Sequence, residues 1–110
     1  KLPNADKAII DDRKFSKYLF NVENSDGFAK GKAFTSRLGY DITNYKDLQK
    51  EIFYSASRYP AVFKDNNGYG NRYEQKIILY GNNGKPANVV IGWLCNGDST
   101  KMTSAYIKEV

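Results

Sequence analysis

The sequence predicts an α+β fold, in which N-terminal helices pack on a twisted antiparallel sheet of three to four or more strands. Two stretches of the 110 residues favour this class. Residues 45–58 carry apolar side chains at helical spacing, and residues 87–107 combine β-branched and aromatic residues with a central turn. The helical patterns come first and the strand patterns follow, which is typical of a small α+β domain.

The first half of the chain predicts three helices. Asp11 or Asp12 can cap a helix over residues 13–20, and a second helix over residues 28–38 can end at Gly39.

The third helix, over residues 45–58, has the clearest pattern. Thr43 or Asn44 can cap it, and Pro60 cannot continue it. Its apolar stripe consists of Leu48, Ile52, Ala56 and Tyr59.

The second half predicts strands. A short apolar run at residues 61–63 and a loop over residues 64–71 precede a strand over residues 72–80. A hairpin turn over residues 81–85 leads into the strand over residues 87–95.

The first strand of the last hairpin is expected to lie at the centre of the sheet. Residues 96–99 form its turn around an Asn-Gly pair, and residues 101–107 return as a strand. Both faces of residues 87–95 are apolar, so we expect this strand to be covered on both sides.

Composition limits the class of protein. The length suits one domain, residues 1–110, and no stretch approaches the ~20 apolar residues of a membrane span, so no membrane insertion is expected. One cysteine excludes an internal disulfide. Because the chain starts with Lys-Leu-Pro instead of Met, we expect it to be part of a longer protein or a protein with a trimmed start.

Charge and histidine content restrict the chemistry. The chain has 17 Lys and Arg against 12 Asp and Glu, a net charge of +5 that favours an anionic partner such as nucleic acid, an acidic protein or a membrane surface. Ordinary solubility charge explains the excess equally well. The chain contains no histidine, which excludes Ser-His and Cys-His pairs and histidine zinc sites. No metal or cofactor site is predicted.

Two lysines flank a glycine near a predicted helix start, at Lys30, Gly31 and Lys32. Glycine allows a backbone to approach a phosphate, and helix N-terminal N–H groups favour anions. The spacing is not that of a P-loop. Solvated lysines on a helix that Gly31 weakens are the alternative.

A second group lies on the last predicted strand and its neighbour. Strict alternation puts Lys101 and Thr103 on one face of the strand, and it puts Ser104 and Tyr106 on the other. A lysine and a threonine on an open sheet face can hold a phosphate and stabilise its transition state. Trp93 could stack on a base, although a tryptophan in a central strand is more often core.

Aromatic and basic residues alternate in and after the Gly-rich loop. Tyr69, Arg72 and Tyr73 suit single-stranded nucleic acid. A mobile loop with exposed tyrosines is the alternative.

An ordered set of residues over nearly the whole chain resembles an uncharacterised family found at the C-termini of large bacterial polymorphic toxins and in some phage-derived proteins. The set comprises residues 2–10, Lys14, Tyr18-Leu19, Lys32-Ala33-Phe34, Leu38-Gly39-Tyr40, Tyr69-Gly70, Asn83-Gly84, Trp93 and residues 103–106. Such domains are similar to the Barnase/EndoU/Colicin/RelE nuclease group, and in particular to the CdiA-type toxins of contact-dependent growth inhibition whose fold resembles the colicin D nuclease domain.

The resemblance implies metal-independent cleavage of RNA, often tRNA, by attack of the ribose 2′-OH to leave a 2′,3′-cyclic phosphate. It implies a cognate immunity protein that covers the active site, and for some relatives elongation factor Tu. It also implies delivery from the cell surface, as part of a larger protein, into the cytoplasm of a neighbouring cell. The family's lysine falls on Lys32, its tryptophan on Trp93 and its late threonine on Thr103. Many members of the nuclease group use a histidine, which this chain lacks.

We therefore predict an endoribonuclease toxin. Lys32 and Thr103 would neutralise the phosphate, while Lys101 or Tyr106 could assist proton transfer. The residues predicted to bind RNA are Lys30, Trp93, Arg72, Tyr69 and Ser104. A nucleic-acid-binding module without catalysis and a protein-interaction domain are the alternatives.

Overall fold

The helices and the strands occupy separate stretches of the chain, which confirms the α+β prediction. The computed structural model describes residues 1–108. In chain order, the elements are a 3₁₀ turn at Ala5–Lys7, a π-helix at Phe15–Leu19, α1 at Ser25–Leu38, α2 at Tyr45–Ala56, β1 at Ala61–Asn66, β2 at Asn71–Tyr80, β3 at Pro86–Asn96 and β4 at Ser99–Ile107. Within residues 1–108, no helix is both long enough and apolar enough to cross a membrane.

The four strands form an antiparallel sheet in the order β1-β2-β3-β4. β3 therefore lies inside the sheet, as predicted, with β2 on one side and β4 on the other. β4 is an edge strand, and its outer side carries a short parallel bridge between Ile9 and Lys101.

The core lies between one face of the sheet and the helices. β3 contributes Val89, Ile91 and Trp93, and their side chains are buried. The helices contribute buried apolar side chains at helical spacing, among them Phe15, Phe34, Leu38, Leu48 and Ile52. These spacings produce the helices because the apolar stripe of each must be removed from water.

The second face of the sheet is largely open, so the prediction that β3 is covered on both sides is wrong for this face. Ile78, Tyr80 and Tyr106 lie on it and are exposed. Val90 is nevertheless buried, because it pairs with Lys76 on one side and Tyr106 on the other, and these longer side chains flank it.

The segment predicted as an α-helix over residues 13–20 instead contains the π-helix. The Phe20 N–H donates to the Phe15 carbonyl oxygen at 2.8 Å, five residues back. α1 then begins at Ser25, three residues before its predicted start, because the Asn24 side chain accepts from the Gly27 N–H at 3.1 Å and caps it.

Two glycines bring α1 against the π-helix. A Cβ at Gly31 would overlap the carbonyl oxygen of Leu19, and one at Gly27 would overlap that of Tyr18. Gly31 therefore allows the close approach of a neighbouring backbone, and not of the phosphate that the sequence suggested.

A β-bulge in β4 changes the predicted faces of this strand. Gly92 pairs with Ser104 and Trp93 pairs with Met102, so that Thr103 is an extra residue. Strict alternation past Thr103 is therefore wrong, since hydrophobic periodicity does not reveal a bulge. The bulge leaves four residues exposed on β4 between Thr100 and Ile107, namely Lys101, Thr103, Ser104 and Tyr106.

Candidate nucleic-acid interface

A cleft of about 600 Å³ lies between the π-helix segment, the start of α1 and β4. We call it the basic cleft. Its cationic side chains are Arg13, Lys14, Lys17 and Lys30. Its hydroxyl-bearing residues are Tyr18, Thr103 and Ser104, and Asp11 is the acidic residue in its lining.

The basic cleft has a surplus of positive charge. Arg13 Nη2 lies 2.7 Å from Asp11 Oδ2, and hydrogen bonds from Arg13 lower the pKa of Asp11 to about 2. This pair is ionised at neutral pH and its charges cancel. Lys14, Lys17 and Lys30, in contrast, form no ion pair with any residue between 1 and 108.

Lys30 and Tyr18 connect the two helical sides of the basic cleft. The Lys30 Nζ lies 5.7 Å from the centre of the Tyr18 ring, a cation–π distance. Because Gly27 and Gly31 hold α1 on the backbone of Tyr18 and Leu19, the position of Lys30 relative to the π-helix is fixed by backbone packing.

The bulge places two hydroxyls beside Gly92. A Cβ at Gly92 would lie 2.5 Å from Ser104 Oγ and 3.1 Å from Thr103 Oγ1, so both hydroxyls occupy the space that a side chain would need. Bulges of this kind redirect side chains, and they occur often next to active sites. Here the bulge turns two adjacent hydroxyls to the same side of the sheet, at the wall of the basic cleft.

The structure brings together some of the predicted residues. Lys30, Thr103 and Ser104 all line the basic cleft. Lys101 and Tyr106 are exposed on the same strand, on either side of the bulge, and they pair with Leu94 and Val90 of β3.

Lys32 lies elsewhere. It follows Lys30 by two residues, which is about 200° around an α-helix. Its Nζ lies 5.6 Å from the ring of Phe28, and it is not among the residues that line the basic cleft. The structure therefore does not bring Lys32 and Thr103 together.

Trp93 belongs to the core, which corrects its predicted place among the RNA-binding residues. Its side chain is 1% exposed, and Nε1 donates to Gln75 Oε1 at 3.0 Å. A ring buried in this way has no face on which a base could stack, so the core alternative is the one confirmed.

Arg72 lies at the start of β2 and Tyr69 in the loop before it, and neither residue lines the basic cleft. Arg72 forms two hydrogen bonds of 2.6 Å with Asp65, which raise the pKa of Arg72 and neutralise its charge locally. Tyr69 is 77% exposed and shares a separate depression with Lys101.

The sequence reasoning missed the contribution of residues 13–18. The signal was present as three cations within five residues, Arg13, Lys14 and Lys17, next to Tyr18. In residues 1–108 there is also no group of three His, Cys, Asp or Glu placed to hold a metal ion.

The fold and this site define an α+β domain with a lysine-rich cleft along a bulged edge strand. The chain belongs to the family described as Domain of unknown function (DUF6883), whose model matches residues 1–109.

One solved structure gives a similarity in fold. A chain in the "Contact-dependent growth inhibition toxin - immunity protein complex from Klebsiella pneumoniae 342" matches with a TM-score of 0.73 and 17% sequence identity. The match covers 97% of this chain and 98% of that chain, so the two share a fold over nearly their whole lengths. The comparison with curated proteins gives no match.

Proposed function

We propose that this chain is a toxin domain of contact-dependent growth inhibition that cleaves RNA in the basic cleft without a metal ion. The observation that carries the proposal is the cleft itself, where three lysines that form no ion pair with residues 1–108 line the same cavity as two adjacent hydroxyl-bearing residues. The fold shared with a chain of a toxin–immunity complex supports the same class of protein.

The chemistry would be electrostatic. Lys14, Lys17 and Lys30 would bind the phosphates of an RNA strand, and the hydroxyls of Thr103 and Ser104 would donate to the non-bridging oxygens of the scissile phosphate. Attack by the adjacent 2′-OH adds negative charge to these oxygens, and donors already in place stabilise that charge.

Proton transfer must also be provided. The 2′-OH loses a proton and the leaving 5′-oxygen gains one, so the site needs a base and an acid. Tyr106, which flanks the bulge, stays a predicted group for this transfer, and Tyr18 in the basic cleft joins it, whereas Lys101 would bind a neighbouring phosphate.

The partners follow from the same proposal. The substrate would be RNA, with tRNA as the first candidate, and a cognate immunity protein would cover the basic cleft with acidic side chains. Elongation factor Tu would act as an activator, as the resemblance implies for some relatives. The domain would reach the target-cell cytoplasm as part of a larger protein.

The experiment is inducible expression in bacteria, followed by RNA analysis on a denaturing gel. Lys30→Ala is compared with Lys32→Ala, because the two lysines lie on one helix and only Lys30 lines the basic cleft. We expect discrete fragments with cyclic phosphate ends in the wild type and in Lys32→Ala, and at least a tenfold loss of cleavage in Lys30→Ala. The reverse pattern would move the site to the other side of α1.

A nucleic-acid-binding module without cleavage is the second candidate, and the lack of histidine favours it. Such a protein would bind RNA in a salt-dependent way. Intact RNA in cells that contain the folded protein would favour this candidate over the nuclease.

A further inference from the structure

We propose that Tyr69 and Lys101 form a second nucleotide subsite, where an unpaired base stacks on Tyr69 and its phosphate binds Lys101. The inference rests on the proposed function, since it gives the path of a single strand of nucleic acid beyond the basic cleft. The inference also predicts the substrate class of the basic cleft. The substrate would be a strand of nucleic acid whose nucleotides are unpaired where it crosses β4.

The subsite is a depression of about 340 Å³ at the end of the β3–β4 hairpin. Its lining consists of Tyr69, Leu94, Asn96, Ser99 and Lys101. Tyr69 is the most exposed aromatic ring of those described, at 77%, and Lys101 forms no ion pair with residues 1–108. An exposed aromatic ring next to a cationic side chain is typical of sites that bind single-stranded nucleic acid.

The loop that carries Tyr69 is attached by hydrogen bonds within itself and to the next hairpin. The Gly68 and Tyr69 N–H groups donate to Asn66 Oδ1 and Asn67 Oδ1 at 2.8 and 2.9 Å. The Asn96 side chain donates to the Tyr69 carbonyl oxygen at 3.0 Å and ties the loop to the β3–β4 hairpin.

Gly70 completes this attachment. Gly70 has a φ of +152°, which favours glycine. A Cβ at this position would lie only 2.6 Å from the Cys95 carbonyl oxygen, so no other residue fits there. The ring of Tyr69 is therefore presented by an ordered backbone, so that stacking of a base does not require the loop to be ordered first.

The subsite and the basic cleft both lie along β4. Lys101 pairs with Leu94 and Ser104 pairs with Gly92, two residues apart on β3, so about 7 Å along the sheet separates them. A strand whose phosphate lies at the Thr103–Ser104 bulge can therefore continue along β4 to Lys101 and Tyr69. A base must leave its pair to stack on a side chain, so the subsite selects unpaired nucleotides.

The test measures binding of a short fluorescent single-stranded oligodeoxynucleotide by anisotropy at several salt concentrations. This probe lacks the 2′-OH and is not cleaved by the proposed route. Since stacking is worth ~1–3 kcal/mol per base, Tyr69→Ala should raise the Kd by about 5- to 150-fold. The slope of log K against log salt should stay unchanged, because no charge is lost.

Lys101→Ala should act differently. Removal of one phosphate contact to a single strand should reduce the magnitude of that slope by about 0.7. Tyr69→Trp keeps an aromatic face and should retain wild-type affinity. Tyr80→Ala is the matched control, because Tyr80 is 64% exposed on the same sheet, at the other end of β2.

Three outcomes decide the proposal. An unchanged Kd in Tyr69→Ala, with RNA still cleaved by the wild type, overturns the subsite and leaves the proposed function standing. Equal losses in Tyr69→Ala and Tyr80→Ala also overturn it. A wild-type protein that neither binds the oligonucleotide nor cleaves RNA overturns both.

Discussion

At the scale of single residues, Gln75 and Trp93 connect the sheet to α2. Gln75 Oε1 accepts from Trp93 Nε1, and Gln75 Nε2 donates to the carbonyl oxygens of Ala56 and Tyr59 at 2.9 and 2.8 Å. Gln75 is buried, so each of these bonds replaces one that water would otherwise supply. The end of α2 is thereby fixed on β2 and β3.

This network makes Trp93 a structural residue, and its substitution should show this. Trp93→Ala removes a large buried ring and leaves Gln75 Oε1 without its donor, so we expect unfolding to require ~3–5 kcal/mol less free energy. Urea unfolding followed by circular dichroism measures the loss. Unchanged stability together with lost RNA binding would instead return Trp93 to the binding surface.

At the scale of elements, the contact between α1 and the π-helix determines the shape of the basic cleft. The π-helix segment supplies Lys14, Lys17 and Tyr18, and α1 supplies Lys30. The two segments meet where Gly27 and Gly31 leave room for the carbonyl oxygens of Tyr18 and Leu19. Any side chain at these glycines must therefore separate the two walls.

Gly31→Ala tests this arrangement. Alanine favours a helix by up to ~1 kcal/mol over glycine, but its Cβ overlaps the Leu19 carbonyl oxygen, and such overpacking costs ~1–3 kcal/mol. We expect a net loss of stability in urea unfolding and weaker binding of the oligonucleotide.

Lys32→Ala is the control for this variant, since it changes an exposed position one residue further along the same helix. It should unfold at the wild-type urea concentration. A Gly31→Ala protein that is more stable than the wild type would show that helix propensity outweighs the contact.

Elements with a strong local pattern could be predicted from the sequence. The stripe of Leu48, Ile52 and Ala56 predicted a helix over residues 45–58, and the structure has α2 at Tyr45–Ala56. The Asn-Gly turn gave the β3–β4 hairpin, because that dipeptide favours a tight turn between apolar strands.

Elements that depend on distant contacts could not be predicted. The π-helix is packed against α1 at Gly27 and Gly31, and its residues look like an ordinary helix when taken alone. β1 extends to Asn66, into the predicted loop, because it pairs with β2 as far as Asn71. The bulge at Thr103 likewise exists only in relation to β3, so the sequence named Thr103 and Ser104 but placed them on opposite faces.

At the scale of the whole molecule, the net charge of +5 is not evenly distributed. Lys14, Lys17 and Lys30 lie together in the basic cleft, whereas Lys46 is paired with Asp12 and Arg72 with Asp65. The affinity for nucleic acid should therefore depend on where the lysines lie and not on how many there are.

Two triple variants separate these possibilities. One replaces Lys14, Lys17 and Lys30 with glutamine, and the other replaces Lys50, Lys64 and Lys85, which are exposed in α2, in β1 and in the β2–β3 turn. Both variants have the same net charge. If each cleft lysine contacts a phosphate, the first variant should reduce the salt slope of binding by about 2. The second should bind nearly as the wild type does, and equal losses in the two variants would show that net charge alone attracts the nucleic acid.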